Sequence, residues 1–147
     1  MKQILITGGN PATGELDLSD HGDTKARIGE KIKWKIVNDA VVKSIVSIQL
    51  KANTTDIFSG RNGKHPEKVD NKNWKADIAD DARLNDVCEY SITWNDGSGG
   101  PPPTHDPKIS INASVNYLAW VISLILVFLG LSLVYWRMKR MKKRNTQ

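Results

Sequence analysis

Residues 29–36 read Gly29-Glu30-Lys31-Ile32-Lys33-Trp34-Lys35-Ile36, and their apolar and charged side chains alternate. Successive side chains of a β-strand point to opposite faces of the sheet. The alternation therefore places Ile32, Trp34 and Ile36 on one face and the lysines on the other. We expect a strand that is buried on its apolar face and exposed on its basic face.

A second strong strand is predicted for residues 87–94, where Cys88, Tyr90, Ile92 and Trp94 share one face. Shorter β-prone stretches are separated by turn residues, and helical periodicity is almost absent. The further predicted strands are residues 3–7, 15–18, 42–50, 74–78 and 108–112. Seven short strands predict an all-β domain over residues 1–112, built as an antiparallel β-sandwich.

The order of these strands points to a fold family. The segment Gly29-Glu30-Lys31-Ile32-Lys33-Trp34 is followed by a strand near Trp74, then by Glu89-Tyr90-Ser91-Ile92-Thr93-Trp94, a loop and a last strand. This layout resembles that of cupredoxin-like domains, and the resemblance covers roughly residues 1–112. It implies a cupredoxin-like sandwich. Immunoglobulin-like (Ig-like) and fibronectin-like sandwiches show similar alternation and are the alternative.

The resemblance raises the question of a copper site. Blue-copper proteins bind the metal through two histidines, a cysteine and usually a methionine, and most of these ligands sit on the loop before the last strand. In this chain that loop, residues 95–107, contains His105 but neither a cysteine nor a methionine, and Cys88 lies on the preceding strand. We therefore expect the scaffold without type-1 copper, and no cofactor.

Three histidines remain as candidate metal ligands. His21, His65 and His105 all fall in turn-rich segments, and imidazole nitrogen is a suitable ligand for zinc. No two of them have the i, i+2 or i, i+4 spacing that brings two ligands to one ion. Solvent-exposed histidines are therefore expected, and an atypical metal-binding or electron-transfer site is the alternative.

The long polar segment 57–73 is a candidate binding loop, because sandwiches often bind their partners through such loops. It is locally basic, with Arg61 and Lys64 as candidate partner contacts. Trp74 follows it between polar residues and is the candidate for an exposed aromatic contact, whereas Trp34 and Trp94 are expected in the core. An exposed Trp74 favours a second alternative, a membrane-tethered module for a small ligand or carbohydrate. A disordered surface loop is the structural alternative.

Residues 117–136 form a run of twenty residues without a charge. As a helix they would be about 30 Å long, which matches the hydrocarbon core of a bilayer. Aromatic residues lie at both ends of the run, where amphipathic rings settle at the membrane interface. These residues are Tyr117, Trp120, Tyr135 and Trp136. The run predicts one transmembrane α-helix.

The basic tail, residues 137–147, accounts for the positive charge of the chain. Six of the 21 basic side chains lie in it, and Arg137, Lys139 and Arg140 are placed to contact lipid headgroups. Residues 1–116 keep 15 basic and 16 acidic side chains. The domain therefore lacks the excess of positive charge that nucleic-acid binding requires, and no nucleic-acid partner is expected.

The predicted span carries small residues that allow close packing with another helix. Ala119 and Ser123 have the small-x-x-x-small spacing, and Gly130 offers another close approach. Residues 113–116 are the whole linker between the last predicted strand and the span, so the domain is expected close to the lipid headgroups. The expected partners are the lipid bilayer and other membrane-protein subunits.

The motifs of catalysis are missing from the sequence: it has no nucleophile elbow, no phosphate-binding loop with its lysine, and no calcium loop with the usual spacing. We therefore expect a protein that is not an enzyme but an accessory or stabilising subunit of a membrane complex. The basic tail favours a single-pass cell-membrane protein with the sandwich outside the cytoplasm. A tail-anchored protein with a cytoplasmic domain is the alternative, because the start of the sequence does not resemble a secretion signal.

We expect protease added to intact spheroplasts to remove an N-terminal epitope from the full chain, because the basic residues after the span favour a cytoplasmic tail and an exterior domain. Digestion in detergent is the control for complete access. Protection of the epitope until detergent is added would contradict the outward orientation and indicate the tail-anchored alternative.

Overall fold

In a computed structural model, the structure describes residues 1–113, which form ten β-strands and no helix. The strands are β1 (Lys2–Gly9), β2 (Leu16–Leu18), β3 (Asp23–Ala26), β4 (Lys31–Ile36), β5 (Ser44–Leu50), β6 (Lys64–Lys68), β7 (Asn73–Asp77), β8 (Val87–Asn95), β9 (Thr104–His105) and β10 (Lys108–Ile111). The all-β prediction is confirmed for this part of the chain. Residues 1–113 contain no helix that could serve as a membrane span, and the predicted span at 117–136 lies outside the described residues.

The strands form two sheets, and residues Met1–Asn112 make up one structural unit. The first sheet has the order β2-β1-β4-β7-β6, and the second has the order β3-β10-β8-β5, with β9 also paired to β8. Both sheets are mixed, because β1 runs parallel to β4 and β10 runs parallel to β3. The prediction of a purely antiparallel sandwich is therefore corrected.

The chain passes from the first sheet to the second at the turn between β2 and β3. β2 pairs with β1 in the first sheet, whereas β3 pairs with β10 in the second. Between them His21 and Gly22 both have positive φ values, 54° and 76°. This left-handed conformation bends the chain sharply, and Gly22 adopts it without a steric penalty. The chain thus crosses from one sheet to the other within a few residues.

The alternation along β4 has the predicted orientation. Ile32, Trp34 and Ile36 are buried, with Trp34 completely inaccessible, while Lys31 and Lys35 are exposed on the other face. The pleat of the strand alone accounts for this division, since every second side chain points into the space between the sheets.

Strand β8 supplies the opposite side of the core. Cys88, Tyr90, Ile92 and Trp94 are all completely buried, as predicted. The Trp34 indole Nε1–H donates a hydrogen bond of 3.1 Å to the Tyr90 hydroxyl, and the two rings meet edge to face with centroids 5.7 Å apart. This contact joins β4 of the first sheet to β8 of the second.

The prediction of a long loop over residues 57–73 is wrong in its central part. Ile57 and Phe58 are buried, and β6 forms an edge strand that pairs with β7. Pro66 lies where the register between these strands shifts, and proline is tolerated at an edge or a bulge because it cannot donate a ladder hydrogen bond. The segment is polar because an edge strand of this kind exposes most of its side chains to water.

We expect Tyr90→Phe to lower the free energy of unfolding by about 1–3 kcal/mol, because it leaves the buried indole N–H of Trp34 without its acceptor. Urea unfolding of the full chain, followed by tryptophan fluorescence, measures the change. Val46→Ala, at an exposed position of β5, is the control and should change the value little. An equal stability of Tyr90→Phe and the wild type would show that the hydrogen bond does not stabilise the fold.

Candidate functional site: a lysine-lined groove

A shallow groove with a volume of about 300 Å³ lies on the outer face of the first sheet. The ladder explains how it forms, because directly paired residues point to the same face. Asp77 of β7 pairs with Lys31 of β4 on one side and with Lys64 of β6 on the other. Lys75 likewise pairs with Lys33 and with Glu67. These six residues define what we call the lysine groove: Lys31, Lys33, Lys64, Glu67, Lys75 and Asp77.

The lysine groove brings two like charges directly opposite each other. Lys33 and Lys75 are partners in the β4–β7 ladder, a position in which equal charges destabilise a sheet. Lys75 is partly compensated by Glu67, whose Oε1 lies 2.9 Å from the lysine Nζ. This hydrogen-bonded pair raises the pKa of Lys75 and lowers the pKa of Glu67. Lys33 forms no ion pair with any of residues 1–113.

The groove as a whole carries more positive than negative charge. Lys31 and Lys64 both pair with Asp77 in the ladder, yet neither forms an ion pair in the described part of the chain. Four lysines face two carboxylates, which leaves an excess of two positive charges. Ammonium groups on flexible stems donate charge-assisted hydrogen bonds to carboxylates and phosphates. The groove is therefore suited to an anionic group.

Of the basic residues predicted as partner contacts, Lys64 lies in the groove and Arg61 is not among its lining residues. The Arg61 backbone N–H donates a hydrogen bond of 3.0 Å to Asp81, so this residue belongs to a turn packed beside the acidic connection before β8. The lysines of β4 and β7 were missed as a site. In the sequence, the alternation of lysines in residues 31–35 predicts an exposed strand face. It does not predict which strand lies next to that face.

The expectation of an exposed Trp74 is wrong. Its side chain is only 8% exposed, and it pairs with Trp34 across the β4–β7 ladder on the core side. The polar neighbours that suggested exposure, Asn73 and Lys75, occupy the outward positions of the same strand because the pleat alternates. Trp74 therefore does not present a stacking surface for carbohydrate, and the ligand-module alternative loses its central residue.

His65 and His105 have local structural partners. His65 Nε2 lies 2.8 Å from Asp56 Oδ2. Burial raises the pKa of Asp56, but the bonds from His65 and from the Phe58 backbone N–H outweigh it, and the net shift is downward. His105 packs beside the turn at Gly22, and burial lowers its pKa although Asp106 acts in the opposite direction.

The candidate metal ligands do not form a ligand cluster. Within residues 1–113 no group of three or more histidine, cysteine, aspartate or glutamate side chains is arranged to hold a metal ion. His21 lies in the β2–β3 turn, His65 in the edge strand of the first sheet, and His105 in β9 of the second. The geometry therefore gives the electron-transfer alternative no support.

Two side chains that could act as nucleophiles are committed to the fold. Cys88 is completely buried, and burial raises the pKa of its thiol to about 11, so it is protonated at neutral pH. The Ser91 hydroxyl donates a hydrogen bond of 2.7 Å to Asp106, and that carboxylate also lies 3.0 Å from Lys51. These bonds lower the pKa of Asp106. Within residues 1–113 the Ser91 hydroxyl thus bonds to a carboxylate and to no histidine that could act as its base.

Comparison with known proteins adds no family to this description. No family model matches the chain, and no curated protein matches it. The cupredoxin-like resemblance therefore stays a prediction that rests on residues 29–34 and 89–94.

The remaining predicted contacts all lie outside the described residues. They are the helix-packing residues Ala119, Ser123 and Gly130, and the membrane-interface residues Tyr117, Trp120, Tyr135, Trp136, Arg137, Lys139 and Arg140. These assignments stay predictions from the sequence.

We expect Lys33→Gln to raise the free energy of unfolding by a few tenths to about 1 kcal/mol, because it removes the repulsion from Lys75 across the ladder. Lys35→Gln is the matched control, since Lys35 lies on the same strand but opposite the neutral Asn73. Urea unfolding at low salt measures both variants, and added salt should shrink the difference. A Lys33→Gln variant less stable than Lys35→Gln would contradict the proposed repulsion.

Proposed function

We propose that this protein is a non-catalytic, single-span membrane protein that acts as an accessory subunit and binds an acidic surface of a partner subunit in the lysine groove. The observation that carries the proposal is the placement of Lys33 opposite Lys75, beside Lys31 and Lys64, which form no ion pair within residues 1–113. Like charges directly opposite each other repel across a sheet, and the carboxylates of an anionic partner would offset that repulsion.

Electrostatic complementarity would make the groove selective. Carboxylates of a partner would lie between the ammonium groups and screen them from one another. Burial of these pairs at an interface strengthens each attraction, because the local dielectric constant falls when water leaves. The excess of positive charge is local, since residues 1–116 together carry slightly more acidic than basic side chains. A partner is thus directed to this face and not to the domain as a whole.

A membrane location is supported by the sequence that follows the domain. The uncharged run at 117–136 and the six basic residues after it have the pattern of a single span with a cytoplasmic tail. On this basis we propose that the domain lies outside the cytoplasm. The partner is then a membrane protein whose exterior part carries acidic residues.

For the scaffold we infer a cupredoxin-like sandwich that has kept the fold without a copper site. The support is the order of the strands, the crossing of the chain between the two sheets after β2, and the position of Cys88 in the core of β8. Only a single histidine and no cysteine or methionine occur in the loop before β10. The function of such a scaffold depends on its surfaces, because one fold serves many activities.

We expect Lys33→Gln/Lys64→Gln to release the protein from a membrane complex, because this double change removes the positive excess of the groove. Mild-detergent extracts of the native membranes, separated by blue native electrophoresis, would show the wild-type chain in a larger assembly and the variant mostly free. High salt should have the same effect on the wild type.

Lys25→Gln/Lys108→Gln is the matched control, because it makes the same change of charge on β3 and β10 of the second sheet. This control variant should stay in the assembly. A wild-type chain that migrates alone would overturn the accessory role. A groove variant that stays in the assembly would show that the groove is not the contact.

A further inference from the structure

Three large apolar side chains are exposed in separate segments near the end of β10. Ile28, in the β3–β4 turn, is 41% exposed, and Leu84, in the β7–β8 connection, is 50% exposed. Val87, the first residue of β8, is 40% exposed. We call these three residues the exit patch. Single exposed apolar side chains are ordinary on a protein surface, whereas three that are held at one end of a domain form a patch.

Hydrogen bonds tie all three segments to the last strand. The Asn112 backbone N–H donates to the carbonyl of Ala26 at 2.8 Å, two residues before Ile28. The Asn85 backbone N–H, next to Leu84, donates to the carbonyl of Ile111 at 2.8 Å. Val87 itself pairs with Ser110 in the β8–β10 ladder. The exit patch therefore surrounds the point where the chain leaves the domain.

The distance along the chain to the predicted span is short. Residues 113–116 separate Asn112 from Tyr117, the first residue of the uncharged run. The five Cα–Cα steps from Asn112 to Tyr117 reach at most about 18 Å when fully extended, and each polar layer of a bilayer is about 5–8 Å thick. If residues 117–136 cross the membrane, the domain end that carries the exit patch stays within reach of the lipid headgroups.

The charged side chains around the patch show no positive excess, which indicates the kind of surface that it would contact. Asp80 Oδ1 lies beside Gly29, next to Ile28. Arg27 and Arg83 flank the patch in the sequence, and so do the carboxylates of Glu30 and Asp86. Both carboxylates accept hydrogen bonds from backbone N–H groups of their own turns, at 3.0 Å from Arg27 and 2.9 Å from Arg83. The apolar side chains of the patch can thus insert into the bilayer interface, with arginines at the rim. The charges around the patch give no net attraction to anionic lipid.

We propose that the exit patch inserts into the interfacial layer of a phospholipid bilayer and holds the sandwich in a fixed orientation on the membrane. This proposal rests on the proposed function, because it requires the predicted span. It goes further in naming the surface of the domain that contacts lipid, and in requiring no particular headgroup charge.

The opposite end of the sandwich provides a control of similar chemistry. Val69 is 54% exposed and lies just before the β6–β7 turn. The carbonyl of Lys72 in that turn accepts a hydrogen bond from the backbone N–H of Ile36, at the end of β4. The exit patch lies instead near the start of β4. Val69 is therefore an exposed apolar side chain, like those of the patch, at the opposite end of the strands.

The test places a nitroxide spin label on single cysteines in the full chain, reconstituted in phosphatidylcholine nanodiscs. The sites are Leu84→Cys in the exit patch, Val69→Cys at the far end and Leu126→Cys in the predicted span, all in a Cys88→Ala background. Collision rates with oxygen, which partitions into lipid, and with a water-soluble nickel complex report the depth of each label. We expect the nickel collision rate to be several-fold lower at Leu84→Cys than at Val69→Cys, and unchanged when phosphatidylglycerol is added.

The three labels separate the two proposals. A Leu126→Cys label in lipid with equal nickel access at Leu84→Cys and Val69→Cys would overturn the exit-patch proposal and leave the membrane anchor intact. A Leu126→Cys label open to the nickel complex would overturn both. Protection of Leu84→Cys only in discs that contain phosphatidylglycerol would contradict the apolar mode of contact.

Discussion

The contact between Trp34 and Tyr90 links the two sheets, and the surfaces of the domain depend on it. The two large aromatic side chains bury their apolar surface against each other between the sheets. The 3.1 Å hydrogen bond gives the Trp34 indole N–H an acceptor, without which this donor would be buried and unsatisfied. Because side chains alternate along β4, fixing Trp34 inward fixes Lys33 and Lys35 outward. A slip of one residue would bury lysines and expose the tryptophan. The register of the core therefore sets the charges of the lysine groove.

The topology of the two mixed sheets determines the end of the sandwich at which the chain leaves the domain. The turn after β2 sends β3 into the second sheet, where it lies beside β10 and ends with it. The residues after β3 then lead directly into β4, so the exit patch and the first row of the groove, at Lys31, lie near the same end of the sandwich. A partner bound in the groove would thus lie beside the domain and near the lipid that we propose the exit patch contacts.

Local alternation predicted the two central strands correctly, because burial on one face of a strand leaves a direct trace in its own residues. The same reasoning failed for Trp74, since its strand is short and its polar neighbours occupy the outward positions. Strand β6 was missed because an edge strand with Pro66 and exposed charged residues needs no apolar face. Of the groove, only Lys64 was predicted. The rest depends on the register between β4, β7 and β6, which no single segment records.

The opposition of Lys33 and Lys75 costs a domain of this size little of its stability, because repulsion between exposed charges is small beside the burial of three tryptophans and the residues around them. Such a lysine pair can therefore persist in a sheet at a position where it favours the binding of a partner. If the exit patch seats the strand ends on the bilayer, the groove opens sideways, along the membrane plane. An acidic surface could reach it only at the same height above the lipid. The two surfaces together thus favour a partner that is itself anchored in the membrane.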